Sequence, residues 1–234
     1  MFSDFHNHAL PGIDDGASTL DESVEMIRLL YAQDVRRIIL TPHFSKDQNL
    51  ALFLAERKKA FLPLKSSVPS KMRIQLAAEV SLEENISREV ELSKLTVDKT
   101  RYIMLRLPYF TFDEWIDYEL HNVLYKHRLI PVFTSIDRYR HTYPKEKFDK
   151  ILSTPDAVFQ FNIKSFSDKE NIKVLKRLIS ANKTVLLGSN AHNMSTRKPN
   201  FDILKDALEN ELGKLTYNYL IIQNNHFLDP IKKG

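Results

Sequence analysis

The chain opens on Asp4-Phe5-His6-Asn7-His8 and runs on through Leu10-Pro11-Gly12-Ile13-Asp14-Asp15-Gly16. Side chains alternate along an extended segment, so His6 and His8 project to the same side and can grip one metal ion between them. Further on stand Thr41-Pro42-His43, Glu79 at the end of the apolar run 74–78, and Ser189-Asn190-Ala191-His192. Each has a plain reading by itself. Paired histidines are often surface residues, Asp14-Asp15-Gly16 reads as a turn with Gly16 supplying a positive φ, and Thr41-Pro42-His43 means little. Glu79 tells more, because a carboxylate closing an apolar run is costly to bury unless cations meet it. Together these N and O donors favour a metal site, and imidazole with carboxylate suits Mn, Fe, Zn or a similar divalent ion. His121, His127, His141 and His226 fall on helical or loop stretches and read as surface or packing residues. Arg138 and Arg197 could hold phosphate oxygens with a guanidinium fork or serve as salt-bridge partners. The residues alone favour the second reading narrowly.

These groups need a scaffold. β-rich runs recur at FSDF (2–5), RRIILT (36–41), RIQLAAE (73–79), RYIMLRL (101–107), IPVFTS (130–135), AVFQFN (157–162) and TVLLGS (184–189). Between them lie helical stretches at 19–33, 49–62, 113–127, 171–182 and 201–212, the first with Thr19 and Glu22 at capping-box spacing. Alternation of this kind predicts parallel strands joined by crossover helices, about seven strands in all. His6 and His8, His43, Glu79, Ser135 to Arg138 and His192 all fall at carboxyl ends of the expected strands, the face where β/α barrels build their sites. That shared placement predicts one site.

The bulk properties bound what the site can do. With 234 residues the chain suits one domain, residues 1–234, and no Pro/Gly/Ser linker divides it. It contains no Cys, which excludes a cysteine nucleophile and any disulfide. The net charge of +4 tolerates acidic partners. The basic residues are scattered and no aromatic–basic ladder accompanies them, so no nucleic-acid partner is expected. No apolar run approaches the ~18 residues of a membrane span, and no signal-peptide pattern opens the chain. With the missing Cys, this gives an expected cytoplasmic location.

The segments DFHNHALPGIDDGA, RRIILTPH, AAE, IPVFTSIDRY, FQFN and LGSNAHN occur in that order from Asp4 to about Pro199. They resemble the PHP (polymerase and histidinol phosphatase) metalloenzymes, and within them the bacterial protein-tyrosine phosphatases of capsular and exopolysaccharide synthesis. The resemblance implies an α/β fold, a distorted β/α barrel of about seven parallel strands, holding one to three divalent ions (Mn, Fe or Zn). It implies metal ligands at His6, His8, Asp15 (Asp14 can exchange with it), His43, Glu79 as a bridging carboxylate, and His192. Arg138 and Arg197 match arginines that hold the substrate phosphate. The implied activity is hydrolysis of a phosphotyrosine-bearing protein, such as the tail of a bacterial tyrosine kinase, without a covalent phospho-enzyme.

Two positions depart from the family pattern. Ser135 stands where A-H-P-E-R-Y has its ligand histidine, and Asn190 replaces the aspartate of S-D-A-H-N. Three functions therefore stay open: a metal-dependent tyrosine phosphatase weakened at Ser135 and Asn190, a non-catalytic phosphotyrosine-binding regulator, or a small-molecule phosphatase. The retained arginines and N-terminal motif favour the first two, and the surviving ligands favour weak catalysis. Ser135→His combined with Asn190→Asp should raise both metal occupancy and phosphate release, read by elemental analysis and a phosphate assay.

Overall fold

The computed structural model describes residues 1–109 and 112–229. Nine strands are present in it: β1 (Phe2–Asn7), β2 (Val35–Leu40), β3 (His43–Phe44), β4 (Arg73–Leu76), β5 (Glu79–Ser81), β6 (Tyr102–Arg106), β7 (Ile130–Phe133), β8 (Val158–Asn162) and β9 (Thr184–Gly188). They form two all-parallel sheets, β1-β2-β4 and β3-β5-β6-β7-β8-β9. The sheets are two arcs of one distorted barrel. β2 runs into β3 through Thr41-Pro42, and β4 runs into β5 through Ala77-Ala78, so the seven expected runs are seven staves, two of them broken. Pro42 has no N–H to give a ladder. At this break Ala77 N bonds Leu40 O and Glu79 N bonds Pro42 O. Arg57, reaching in from the second helix, takes the Ala77 carbonyl at 2.7 Å. The ring closes where β1 meets β9: Asn190 N donates to His6 O, His8 N donates to Ala191 O, and Asn7 bridges Ala191.

Each stave contributes one residue to an apolar layer inside the barrel: Phe5, Ile39, Ala77, Met104, Val132, Val158 and Leu186. Period-two alternation then places the next inward residues one layer higher, at Glu79, Arg106, Thr134, Gln160 and Gly188. β1 reaches that layer through a bulge. Asp4 pairs Ile38 and Asn7 pairs Leu40, so Phe5 and His6 together oppose Ile39. The bulge turns His6 inward directly above Phe5.

Helices pack outside: α1 (Leu20–Ala32), α2 (Leu50–Ser67), α3 (Ile86–Glu89), α4 (Glu114–His121), α5 (Ile136–Tyr139), α6 (Lys145–Leu152), α7 (Lys169–Ser180), α8 (Leu204–Leu212) and α9 (Lys214–His226). α1 starts as its capping box predicts, with Thr19 accepting from Glu22 N at 3.2 Å. Three features differ from the sequence reading. α2 continues to Ser67 through Pro63, beyond the expected end at Leu62. The stretch after α4 is a single π turn, Asn122–Lys126. α6 and α9 carry no start signal strong enough to read. α6 begins behind Pro144, and α9 follows Gly213 at φ 76° with Leu215, Tyr219 and Ile222 exposed. α9 nonetheless matters, because the chain leaving it sets Phe227 edge-on to Phe5 (5.6 Å) and against Tyr102 (4.4 Å), closing the barrel floor.

Gly188 is where the closure is tightest. A Cβ there would lie 2.6 Å from His6 Cβ and 2.9 Å from His6 N. Gly188→Ala should therefore cost about 2–3 kcal/mol through overpacking, measured by urea unfolding, and should disturb His6 in the folded fraction.

Candidate metal centre

The upper layer of the barrel gathers the expected ligand residues at one mouth. Two groups of donor atoms lie within 4.8 Å of one another, His6, His8 and Glu79 in one, and His8, Asp15, His43 and His192 in the other. All six residues anticipated as ligands fall in these overlapping groups, with His8 shared. His6, His8, Glu79 and His192 are buried, while Asp15 at 62% exposure stands at the opening. The rings pack closely, His8 on His192 at 3.8 Å and His8 on His43 at 4.4 Å between centroids.

Hydrogen bonding fixes which nitrogen of each ring is free. Gln160 Nε2 donates to Phe161 O, which turns its Oε1 toward His6 Nδ1 (2.8 Å) and the Ser135 amide (2.8 Å). His6 therefore donates from Nδ1 and presents a bare Nε2. Asp14 accepts from Gly16 N and His43 N, so it receives His8 Nδ1 at 2.7 Å as a carboxylate, and His8 too presents a bare Nε2. His192 donates from Nδ1 to Asn190 O (3.1 Å), and its buried Nε2 has no hydrogen-bond partner. The Nε2 atoms of His6 and His8 are only 3.0 Å apart. Lone pairs converging in this way fit a cation, and the fixed Nδ1 partners are what metal-ligating histidines ordinarily have.

The electrostatics agree. Burial, followed by the proximity of His6, His192 and His43, whose rings cannot share positive charge with it, pushes His8 well below its ordinary value, and burial lowers His6 despite Glu79. His192 is pushed down to about 4, by burial first and Arg197 second. Neutral imidazoles are the ligand form. Burial alone would raise the Glu79 carboxyl, but His6, the His43 hydrogen bond and His8 outweigh it and hold it well below the usual range. Glu79 is thus an anion, accepting from Thr134 Oγ1 and His43 Nδ1 (2.8 Å), with an oxygen 3.2 Å from the bare His6 Nε2, a close pair of acceptors that a cation would bridge.

The two aspartates divide the work. Asp14 faces His8 Nδ1, whereas Asp15 Oδ1 lies 3.2 Å from His43 Nε2 and 3.5 Å from His192 Nε2. Gly16 does not have a positive φ, contrary to the turn reading. It is required because a Cβ would sit 2.1 Å from His8 O.

Ser135 and Asn190 hold left-handed backbone, at φ 50° and 49°, which is a small reservoir of strain at the mouth. Neither side chain is idle. Ser135 Oγ donates to Asn162 Oδ1 (3.2 Å), which Asp137 clamps in turn, and Asn190 Oδ1 accepts from Arg197 Nη2 (3.2 Å). Arg197 also reaches Asp15 at 3.4 Å. Arg138 is exposed, and its guanidinium makes no salt bridge or hydrogen bond among the described residues. It stands between two clefts. One, of about 310 Å³, is lined by Arg138, Arg197, Lys164, Lys198 and Asn190 among others. The other, of about 500 Å³, begins at Arg106, Ser135 and Arg138.

Asp4, Gln160 and Arg106 had no role assigned from sequence. Arg106 Nη2 donates to Ser81 Oγ (2.6 Å) and its Nη1 lies 3.4 Å from His43 Nδ1. Strand-end position marked it as it marked Glu79, and alternation along FQFN pointed Gln160 inward. The remaining histidines serve as expected: His127 Nε2 meets Ser87 O (2.7 Å), and His226 pairs Asp229.

The model of a family described as capsular polysaccharide synthesis, CpsB/CapC, matches residues 2–228. The tyrosine-protein phosphatase YwqE of Bacillus subtilis is 26% identical over 241 residues, covering 96% of this chain and 90% of its own. The tyrosine-protein phosphatase CpsB of Streptococcus agalactiae serotype III is 24% identical over 250 residues, covering 96% and 99%. Among solved structures, one of YwqE from Bacillus subtilis and CpsB from Streptococcus pneumoniae, described as unique metal-dependent tyrosine phosphatases, matches with a TM-score of 0.70 at 24% identity over 94% of each chain. This last likeness bears on the fold, a parallel α/β barrel.

Gln160→Leu removes the acceptor that holds His6 in its tautomer. Affinity for manganese should fall about 10–100-fold, read by calorimetric titration, with the fold kept by circular dichroism.

Proposed function

This chain belongs to the capsular polysaccharide synthesis CpsB/CapC family, and on that premise we propose that it is a metal-dependent protein-tyrosine phosphatase. Its substrate would be a phosphotyrosine-bearing protein, such as the tail of a bacterial tyrosine kinase. What carries the reading is one observation: the buried His6, His8 and His192 leave bare Nε2 atoms in two overlapping donor groups joined at His8, and Arg138, whose guanidinium is unpaired among the described residues, lines the cleft beside Asn190 and Arg197. A single domain would hold all of it, since the staves bearing these residues encircle one barrel.

His6, His8, Asp15, His43, Glu79 and His192 would hold the ions, with manganese the first to try. Divalent ions there supply Lewis acidity, making water more acidic and drawing charge from phosphoryl oxygens. The rest falls to the chain's own groups. Arg138 and Arg197 would bind the equatorial phosphate oxygens and balance their charge as the transition state forms. Asn190 and Asp15 hold Arg197 in place for that contact. Gln160 and Asp14 keep the imidazoles in the ligating tautomer, and Thr134 orients Glu79. The phenol of tyrosine is acidic enough that its phenolate can depart without a strong general acid.

A second reading has its own observation. Ser135 and Asn190 spend their polar atoms on Asn162 and Arg197, so that arc of the mouth offers no ionic ligand, which would suit a protein that binds phosphotyrosine without turnover. Phosphate release from a phosphotyrosine peptide separates the two. Manganese-stimulated release abolished by a chelator is expected. Peptide binding without release, at every metal tested, would overturn the enzyme in favour of the binding module.

A further inference from the structure

The two clefts that meet at Arg138 differ in kind. On the Arg197 side the walls are polar and basic. The larger cleft has its cations only at the inner end, Arg106 and Arg138, and apolar walls beyond them made by Leu82, Leu107, Tyr139 and Trp115. The Leu82, Leu107 and Tyr139 walls are fixed. Leu82 and Leu107 are buried to 2% exposure, and the Tyr139 hydroxyl donates to Leu107 O at 3.0 Å while its ring packs on Tyr143 at 5.3 Å. Trp115, half-buried on α4, is the only tryptophan in the chain. A slot with cations at its floor and rigid apolar sides fits a group whose anion and flat hydrocarbon body are joined end to end.

We propose that this cleft is the specificity site for the aromatic ring of the substrate: the phosphoryl group rests at Arg138, where the two clefts meet, with Arg197 on one side of it and Arg106 on the other, and the ring lies between Leu107, Tyr139 and Trp115. The inference rests on the phosphatase reading above and adds where selection for aryl over alkyl phosphates is made. An alkyl phosphate such as phosphoserine satisfies the floor and leaves the walls untouched. Rigid walls make the gain in ring burial cheap in entropy, because little has to be ordered on binding. Glu83 and Glu84 on the rim of the same cleft disfavour an anionic neighbour on that side, so acidic residues flanking the tyrosine would be turned toward Arg197, Lys164 and Lys198.

Phenylphosphonate and methylphosphonate test this, since both carry the same anionic head and neither has a leaving group to cleave. Their affinities for the manganese-loaded protein are measured by calorimetry, with Trp115 fluorescence as a second readout in the unaltered chain. Phenylphosphonate should bind at least about tenfold more tightly and should change the tryptophan emission, while methylphosphonate leaves the emission unchanged. In Trp115→Ala the phenyl-to-methyl ratio should fall below about threefold, and in Trp115→Phe it should be largely kept. Equal affinities in the unaltered protein, or a ratio that Trp115→Ala leaves intact, would overturn the aryl cleft while phosphate binding stands. Binding of neither phosphonate would overturn the phosphate site itself, and the aryl cleft with it.

Discussion

Asp4 closes the barrel. Its carboxylate is buried between β1 and β9, taking Ser189 N at 2.9 Å and His6 N at 3.2 Å on one oxygen, Ser189 Oγ and Asn7 Nδ2 (3.0 Å) on the other. Burial raises its pKa to about 6 against the pull of those four donors. A carboxyl so placed is tolerable only because every acceptor direction is met. The consequence reaches the mouth directly. β1 carries His6 and His8, β9 leads into Asn190 and His192, and the two can share one site only if the seam brings their ends level. The bulge in β1 and the bare backbone of Gly188 belong to the same constraint, since one turns His6 inward and the other makes room for it.

Above that seam the chain prepares lone pairs. Each buried imidazole has its Nδ1 engaged by a different kind of acceptor: a side-chain amide for His6, a carboxylate for His8 and a backbone carbonyl for His192. Proton placement is thereby decided by partners outside the cluster. Packing three neutral rings within ring-contact distance would leave converging acceptors unsatisfied in the absence of a cation, a cost that binding relieves. Glu79, held as an anion below them, supplies compensating charge.

The mouth is also asymmetric in charge. On the side of β1, β3 and β5 stand the anionic donors Asp15 and Glu79 and the imidazoles of His6, His8 and His43, with His192 beyond β9 next to them. On the side of β6, β7 and β9 stand the guanidinium groups of Arg106, Arg138 and Arg197, with Ser135 and Asn190 neutral between them. Ser135 and Asn190 are bound into hydrogen bonds with Asn162 and Arg197, so the loss of ionic ligands there is matched by a polar network that orients an arginine. A phosphate ester placed across this boundary would meet donors for its oxygens on one side and the lone-pair cluster on the other.

Much of this was legible without coordinates because the chemistry lies at strand ends. Period-two alternation brought His6 and His8 to one side, strand–helix alternation made the sheet parallel, and parallel strands in a barrel put their carboxyl ends on one face. Those local rules sufficed to gather His6, His8, His43, Glu79 and His192. They could not separate Asp14 from Asp15, because adjacent residues in a turn share every sequence signal, and only the position of His8 Nδ1 decides which one it meets. Nor could they show that RIQLAAE breaks at Ala77, which depends on Pro42 in a neighbouring stave, or that α9 and Phe227 seal the floor. Alternation turned Gln160 inward but could not give it or Asp4 a role, because each acts on a partner more than 150 residues away in the chain. Sequence determined which atoms face inward, since that is set by backbone periodicity. Tertiary structure decided which of those atoms carry protons and which are left bare, since that is set by contacts between staves.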